Sequence, residues 1–155
     1  MKSTKSVIVK AGILLAIAAL LIGAMTISVS AATESVSYEE ASWNAATETV
    51  TKQSKTVMAT VITGSETTLG KTGETTYYVV SSNATTADSV TVYGEVHIIL
   101  DANYTIGADA AKNLRVGTGA TLHIYKKKNG GTAVLSAANI HAYESDTENE
   151  NIYIH

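Results

Sequence analysis

The 155-residue chain contains no cysteine, no proline and no phenylalanine. Without cysteine there is no disulfide, no thiolate metal site and no lipid-modified N-terminal cysteine. Without proline, any sorting signal that requires one is excluded. Basic residues are few, eleven against fourteen acidic, and the formal charge of −3 gives no reason to expect a nucleic-acid partner. Motifs of chemistry are missing as well. There is no G-x-S-x-G, no HExxH and no phosphate-binding glycine loop: Gly117-Thr118-Gly119 lacks the following glycine, and Gly130-Gly131-Thr132 lacks the full spacing and the Lys-Ser/Thr.

What is present begins with an export signal. Lys2, Lys5 and Lys10 form a positive n-region, Ala11 to Met25 is an unbroken run of apolar and small residues, and Val29 and Ala31 suit the −3 and −1 positions of a signal-peptidase site. The expected cut follows Ala31, so that residues 1–31 are a signal helix and the protein is extracellular or at the cell surface. The rival reading is an uncleaved N-terminal membrane anchor, since Ala11 to Ser30 carries no charge over a length that just spans a bilayer. Removing the leader leaves eight basic residues against fourteen acidic ones, a charge of −6 over 124 residues, enough for one small domain. In such a chain the Asn83 and Asn103 sequons are read as accidental.

Beyond Ala32 no 3.6-residue apolar period is sustained, whereas period-two alternation of Val, Ile, Leu, Thr and Tyr recurs throughout. The fold is expected to be all-β. Residues 32–75 read as an N-terminal meander, with strand-like runs near Val36 to Trp43, Glu48 to Lys52 and Lys55 to Thr63, closed by a glycine-rich linker from Gly64 to Gly73. Residues 76–155 differ, because their strands resemble one another. Val90-Thr91-Val92 matches Leu114-Arg115-Val116 at a displacement of 24, Val96-His97-Ile98-Ile99 matches Leu122-His123-Ile124-Tyr125 at 26, and Ile152-Tyr153-Ile154-His155 follows 30 residues after Leu122. Such periods predict a short right-handed parallel β-helix of about three coils; an antiparallel sandwich is the alternative. Alternation then points Val96, Ile98, Leu100, Leu122, Ile124, Ile152 and Ile154 inward, and leaves the columns His97/His123/Tyr153 and Ile99/Tyr125/His155 outward.

A resemblance follows from these residues. Tyr77-Tyr78-Val79-Val80, the run Val90 to Leu100 (VTVYGEVHIIL), Ala120 to Tyr125 (ATLHIY), and Gly130-Gly131-Thr132 with Leu135 resemble, in order, the "WYVV", "V.V.GDVHLIL", "LTIYGQ" and "GGTG.L" elements of repeat-bearing surface proteins of gut Firmicutes. Trp43 and Ala59 to Thr63 fit the segment that precedes them. The resemblance implies an exported, non-catalytic, adhesin-like β-helical domain that binds polysaccharide or a host or matrix surface glycan. Tyr77 stands where Trp is usual, Lys126 and Lys127 replace Gly-Gln, Ala133 breaks "GTG", and the glycine-rich coils that normally follow are missing. A truncated, non-functional fragment of a larger adhesin is therefore one alternative. A polysaccharide lyase-like relative is another, with Asp101, Asp109, Lys112 and Arg115 the only grouped candidates and too few coils for a substrate groove.

The residues themselves offer few sites. Sugar rings stack on aromatic faces, so Tyr93, Tyr125 and Tyr153 are the candidate binding platform, with His97 and His123 beside them. A structural ladder is the competing role for the tyrosines. His97 and His123 could share a metal, but they are read as solvated surface histidines. Trp43 is read as a packing anchor. Lys126 to Lys128 are read as a solvated turn. Glu144, Asp146, Glu148 and Glu150 alternate and could hold Ca²⁺, but without an ordered loop pattern they are read as a solvated acidic loop, and no cofactor is expected. Contact with a membrane is expected only through the signal segment.

Overall fold

The computed structural model describes residues 31–142 and 151–155. Residues 1–30 of the expected signal segment and the acidic alternation Glu144, Asp146, Glu148 and Glu150 lie outside the described residues. The rest is written almost wholly in strands: β1 (Thr33–Asn44), β2 (Thr49–Val61), β3 (Thr68–Val80), β4 (Ala84–Thr86), β5 (Val90–Leu100), β6 (Tyr104–Ile106), β7 (Asn113–Val116), β8 (Thr121–Lys126), β9 (Leu135–Ser136), β10 (Asn139–Ala142) and β11 (Asn151–Ile154). Among the described residues no helix is long and apolar enough to cross a membrane.

From β3 onward every strand pairing is parallel, so an antiparallel sandwich is ruled out and the domain is a parallel solenoid of about three turns. Each coil has three faces. The first is the ladder of the starts of β3 and β5 with β7 and β10; the second joins the ends of β3 and β5 with β8 and β11; the third is β4, β6 and β9. The displacements visible in the sequence are the registers of these ladders: Val90 pairs Leu114, Val96 pairs Leu122, and Ile152 pairs Leu122.

The register stacks like on like in the interior. Leu69, Val92 and Val116 form one inward column and Ile98 and Ile124 another, while Tyr104 and Ile106 fill the third side; all belong to one buried cluster. Burying one such branched side chain contributes about 1.5–3 kcal/mol, and these columns supply most of the cohesion. The inward assignment holds for Val96, Ile98, Leu100, Leu122 and Ile124, and Ile152 is partly buried against the same core. Ile154 stands in register with the inward Ile124 but is 77% exposed, since among the described residues nothing stacks beyond β11 to cover it.

Three further expectations are corrected. Glu48 to Lys52 and Lys55 to Thr63 are not two strands, because β2 runs without a break from Thr49 to Val61 and pairs with β1 as one long antiparallel hairpin, and then pairs in parallel with β3. The meander is therefore this hairpin. Gly64 to Gly73 is not simply a linker either, since β3 begins at Thr68. Gly70 and Gly73 lie within β3 and bend it instead of ending it, while Gly64 stays in the turn between β2 and β3. Gly70 (φ +72°) and Gly94 (φ +69°) take left-handed backbone where β3 and β5 pass from the first face to the second, and the two corners stack. A Cβ on Gly94 would lie 2.2 Å from the Lys71 carbonyl oxygen, and one on Gly70 2.3 Å from that of Tyr93. Only glycine fits there. Trp43, expected as an anchor, is 62% exposed near the tip of the hairpin, beyond the part that reaches the solenoid.

Polar side chains close the other turns. The Asn83 carboxamide oxygen accepts the Asn103 N–H at 3.1 Å, and that of Asn103 accepts the Val134 N–H at 3.0 Å, so both sequon asparagines serve as rungs between coils. Between β2 and β3 the Glu66 carboxylate accepts the Thr63 N–H (2.8 Å), the Thr63 hydroxyl (2.9 Å) and the Gly64 N–H (2.8 Å). Burial alone would raise the Glu66 pKa, but these donors outweigh it and hold the carboxyl below its ordinary value.

Two outcomes are expected. Gly94→Ala combines left-handed strain with a backbone clash and should lower stability by about 3 kcal/mol or more in urea unfolding. Glu66→Gln should cost about 1–2 kcal/mol near neutral pH. Because the folded pKa is depressed, that contribution is complete above the ordinary glutamate range and is lost as pH falls through the folded value; wild type and variant should converge as the pH is taken from neutral to below the ordinary glutamate range, as measured by denaturation midpoints.

Candidate functional site

The outer face of the second side carries the predicted columns, but the hairpin covers part of it. β1 crosses over this face: Tyr38 packs on Tyr125 with ring centroids 4.4 Å apart, and Val36, Tyr38 and Ala59 form a second buried cluster with Val79, Ile99 and Tyr125. The Lys128 N–H donates to the Ser37 carbonyl at 2.8 Å and fastens the hairpin to the turn after β8. The Lys126 to Lys128 run is accordingly not a free turn. Lys127 pairs with Asp101 at 2.7 Å and the Lys128 ammonium donates to the Ser54 hydroxyl at 3.1 Å.

This placement corrects the platform expected from Tyr93, Tyr125 and Tyr153. Tyr125 is buried, 1% exposed, and its hydroxyl donates to Glu40, which in turn pairs with Lys55. Burial, with the Glu40 carboxylate adding, raises the Tyr125 pKa. Tyr153 is exposed on β11, and Tyr93 is exposed on the first face, so the three rings do not share one wall. Of the two roles weighed for them, the structural ladder describes Tyr125.

The histidines are likewise not solvated surface groups. Tyr77, His97, His123 and Tyr153 stand in one in-register column and stack ring on ring, with centroids 4.5, 4.5 and 4.8 Å apart. The planes of His97 and His123 differ by 6°. His97 is buried at 5% exposure and His123 is half-buried. Desolvation by this packing lowers the pKa of both, in His97 against the opposing pull of Glu95 and in His123 with further help from His97. Both rings are thereby held neutral near pH 7.

Glu95, which sequence reasoning left out, sits at the edge of that column. Its Oε1 is 3.2 Å from His97 Nε2 and 3.7 Å from His123 Nε2, and its Oε2 accepts the Thr75 hydroxyl at 2.9 Å. The Thr75 bond, then burial in the opposite sense, then the bond from His97 set its pKa, with a net lowering. On the far side of His123, Nδ1 lies 3.3 Å from His155 Nε2. The signal was present in the alternation: Glu95, His97 and Ile99 share one outward face, and His123 follows His97 by one coil.

The outer side of the first face is open. There Thr91 lies beside Arg115, and Arg115 beside His141; Tyr93, 41% exposed, lies against Gly117, whose missing side chain leaves room for the ring. Thr91, Tyr93, Arg115, Gly117 and Thr118 line a depression of about 350 Å³. Arg115 makes no ion pair among the described residues. The face thus offers an aromatic ring, a guanidinium and hydroxyls side by side. Comparison with protein-family models, curated proteins and solved structures finds no match to this chain.

The two exposure classes separate by mutation. Tyr125→Ala should destabilise by about 3–5 kcal/mol, as for other large buried aromatics, while Tyr125→Phe loses only the bond to Glu40 and should cost about 1.5 kcal/mol or less. Tyr93→Ala should leave the unfolding free energy measured in urea within about 0.5 kcal/mol of wild type.

Proposed function

We propose that the chain is an exported, non-catalytic binding module that presents the first face of its solenoid to a surface polysaccharide. The observation that carries this reading is the Tyr93 depression. A tyrosine ring with one face free is a stacking surface for the C–H face of a sugar, and Thr91 and Thr118 place hydroxyls within reach of its hydroxyls. Arg115 adds a planar, bidentate donor suited to a carboxylate, which favours an acidic sugar over a neutral one. Because parallel coils repeat this face at about 4.8 Å intervals, the module suits an extended chain more than a single small sugar. Export rests on the basic n-region and the apolar run that follows it.

Retention of the full chain on immobilised acidic polysaccharides, uronate-rich chains among them, tests this directly. Tyr93→Ala is expected to abolish retention, and Arg115→Ala to weaken it more on acidic than on neutral polymers. Absence of retention on every polymer offered, or retention that survives Tyr93→Ala, would sink the proposal.

A further inference from the structure

We propose that Glu95, His97 and His123 form a zinc-class metal site at the edge of the aromatic column. The three residues each bring one ligand atom into a group whose members all lie within 4.8 Å of one another. Two neutral imidazoles and one carboxylate are the donor set of borderline divalent ions, and two imidazoles disfavour the hard Ca²⁺ and Mg²⁺.

Two of the three donor separations fit the ion as they stand. Metal–ligand bonds of about 2.1 Å at tetrahedral angles put neighbouring donors about 3.4 Å apart. The Glu95 Oε1 separations of 3.2 and 3.7 Å from the two Nε2 atoms bracket that value. The His97 to His123 separation closes by tilting the His123 ring out of its parallel stack, which the half-buried position of His123 allows.

The surroundings support two of the three ligands, Glu95 and His123, whereas the buried Nδ1 of His97 has no hydrogen-bond partner. The Thr75 hydroxyl holds Glu95 Oε2 and so turns Oε1 toward the imidazoles, and His155 faces Nδ1 of His123. Groups of this kind orient the ligands of metal sites and fix the histidine tautomer. The Glu95 side is open to solvent, its side chain 47% exposed, so that an ion held by three protein ligands keeps a position for water.

The experiment is titration of the full chain with Co²⁺, read by the visible absorption of a tetrahedral cobalt centre, followed by displacement with Zn²⁺. One equivalent is expected to bind. Glu95→Gln and His123→Phe, the latter chosen because it keeps a ring in the stack, should each weaken binding about tenfold or more with the far-UV circular dichroism unchanged. His141→Ala, on the other face, should bind as wild type does. No uptake of either ion, uptake unchanged in both ligand variants, or an equal loss in His141→Ala would overturn the site. Polysaccharide retention through Tyr93 is independent of this result.

Discussion

The constraint on which the rest depends is the in-register parallel ladder. Parallel strands sit about 4.8 Å apart, and when the register is kept from coil to coil each side chain lies directly over its counterpart. A residue type that is acceptable once must then be acceptable several times over. Inside, branched aliphatics satisfy this by stacking into columns, as Leu69, Val92 and Val116 do. Outside, flat rings satisfy it, which is why Tyr77, His97, His123 and Tyr153 can follow one another without a gap. The same constraint forces the corner glycines, because a corner repeated above another corner has no room for a Cβ between backbones.

The ladder also decides what is buried. A sheet has two faces, and a three-sided solenoid protects only the inner one. β1 and β2 cover part of the outer face of the second side, which turns Tyr125 and His97 into core residues while leaving the outer face of the first side to solvent. Burial then sets the chemistry. The two stacked imidazoles are kept neutral, and Glu95, half in solvent, is the charge they meet.

How much of this was legible follows from the same geometry. The displacements of 24, 26 and 30 residues are registers, and a register shows in a sequence because it repeats. Inward positions were legible for a similar reason, since alternation names one face of each strand. Coverage of the outward face was not, because alternation distinguishes the two faces without saying what lies against the second. Tyr125 and Trp43 were misplaced on that account, one covered by the hairpin and the other carried near its tip, beyond the part that reaches the solenoid. Gly64 to Gly73 was misread because glycine at positive φ serves a turn and a corner equally well, and only the stacked partner, Tyr93 over Gly70, tells them apart.

Glu95 shows the limit most clearly. It lies one residue after a corner glycine and two before His97, on the outward side of the strand. Nothing in that local spacing separates a carboxylate that caps an imidazole from one that points into water. The distinction comes from β3 and β8 on either side, which bring Thr75 and His123 into register with Glu95 and His97. A site assembled across three coils is written in three places in the chain, each unremarkable alone, and it becomes readable once the displacement between coils is known. In a solenoid, then, the search for function begins with the register: side chains that share a column or adjoin it are the ones able to act on one ligand, however far apart the chain places them.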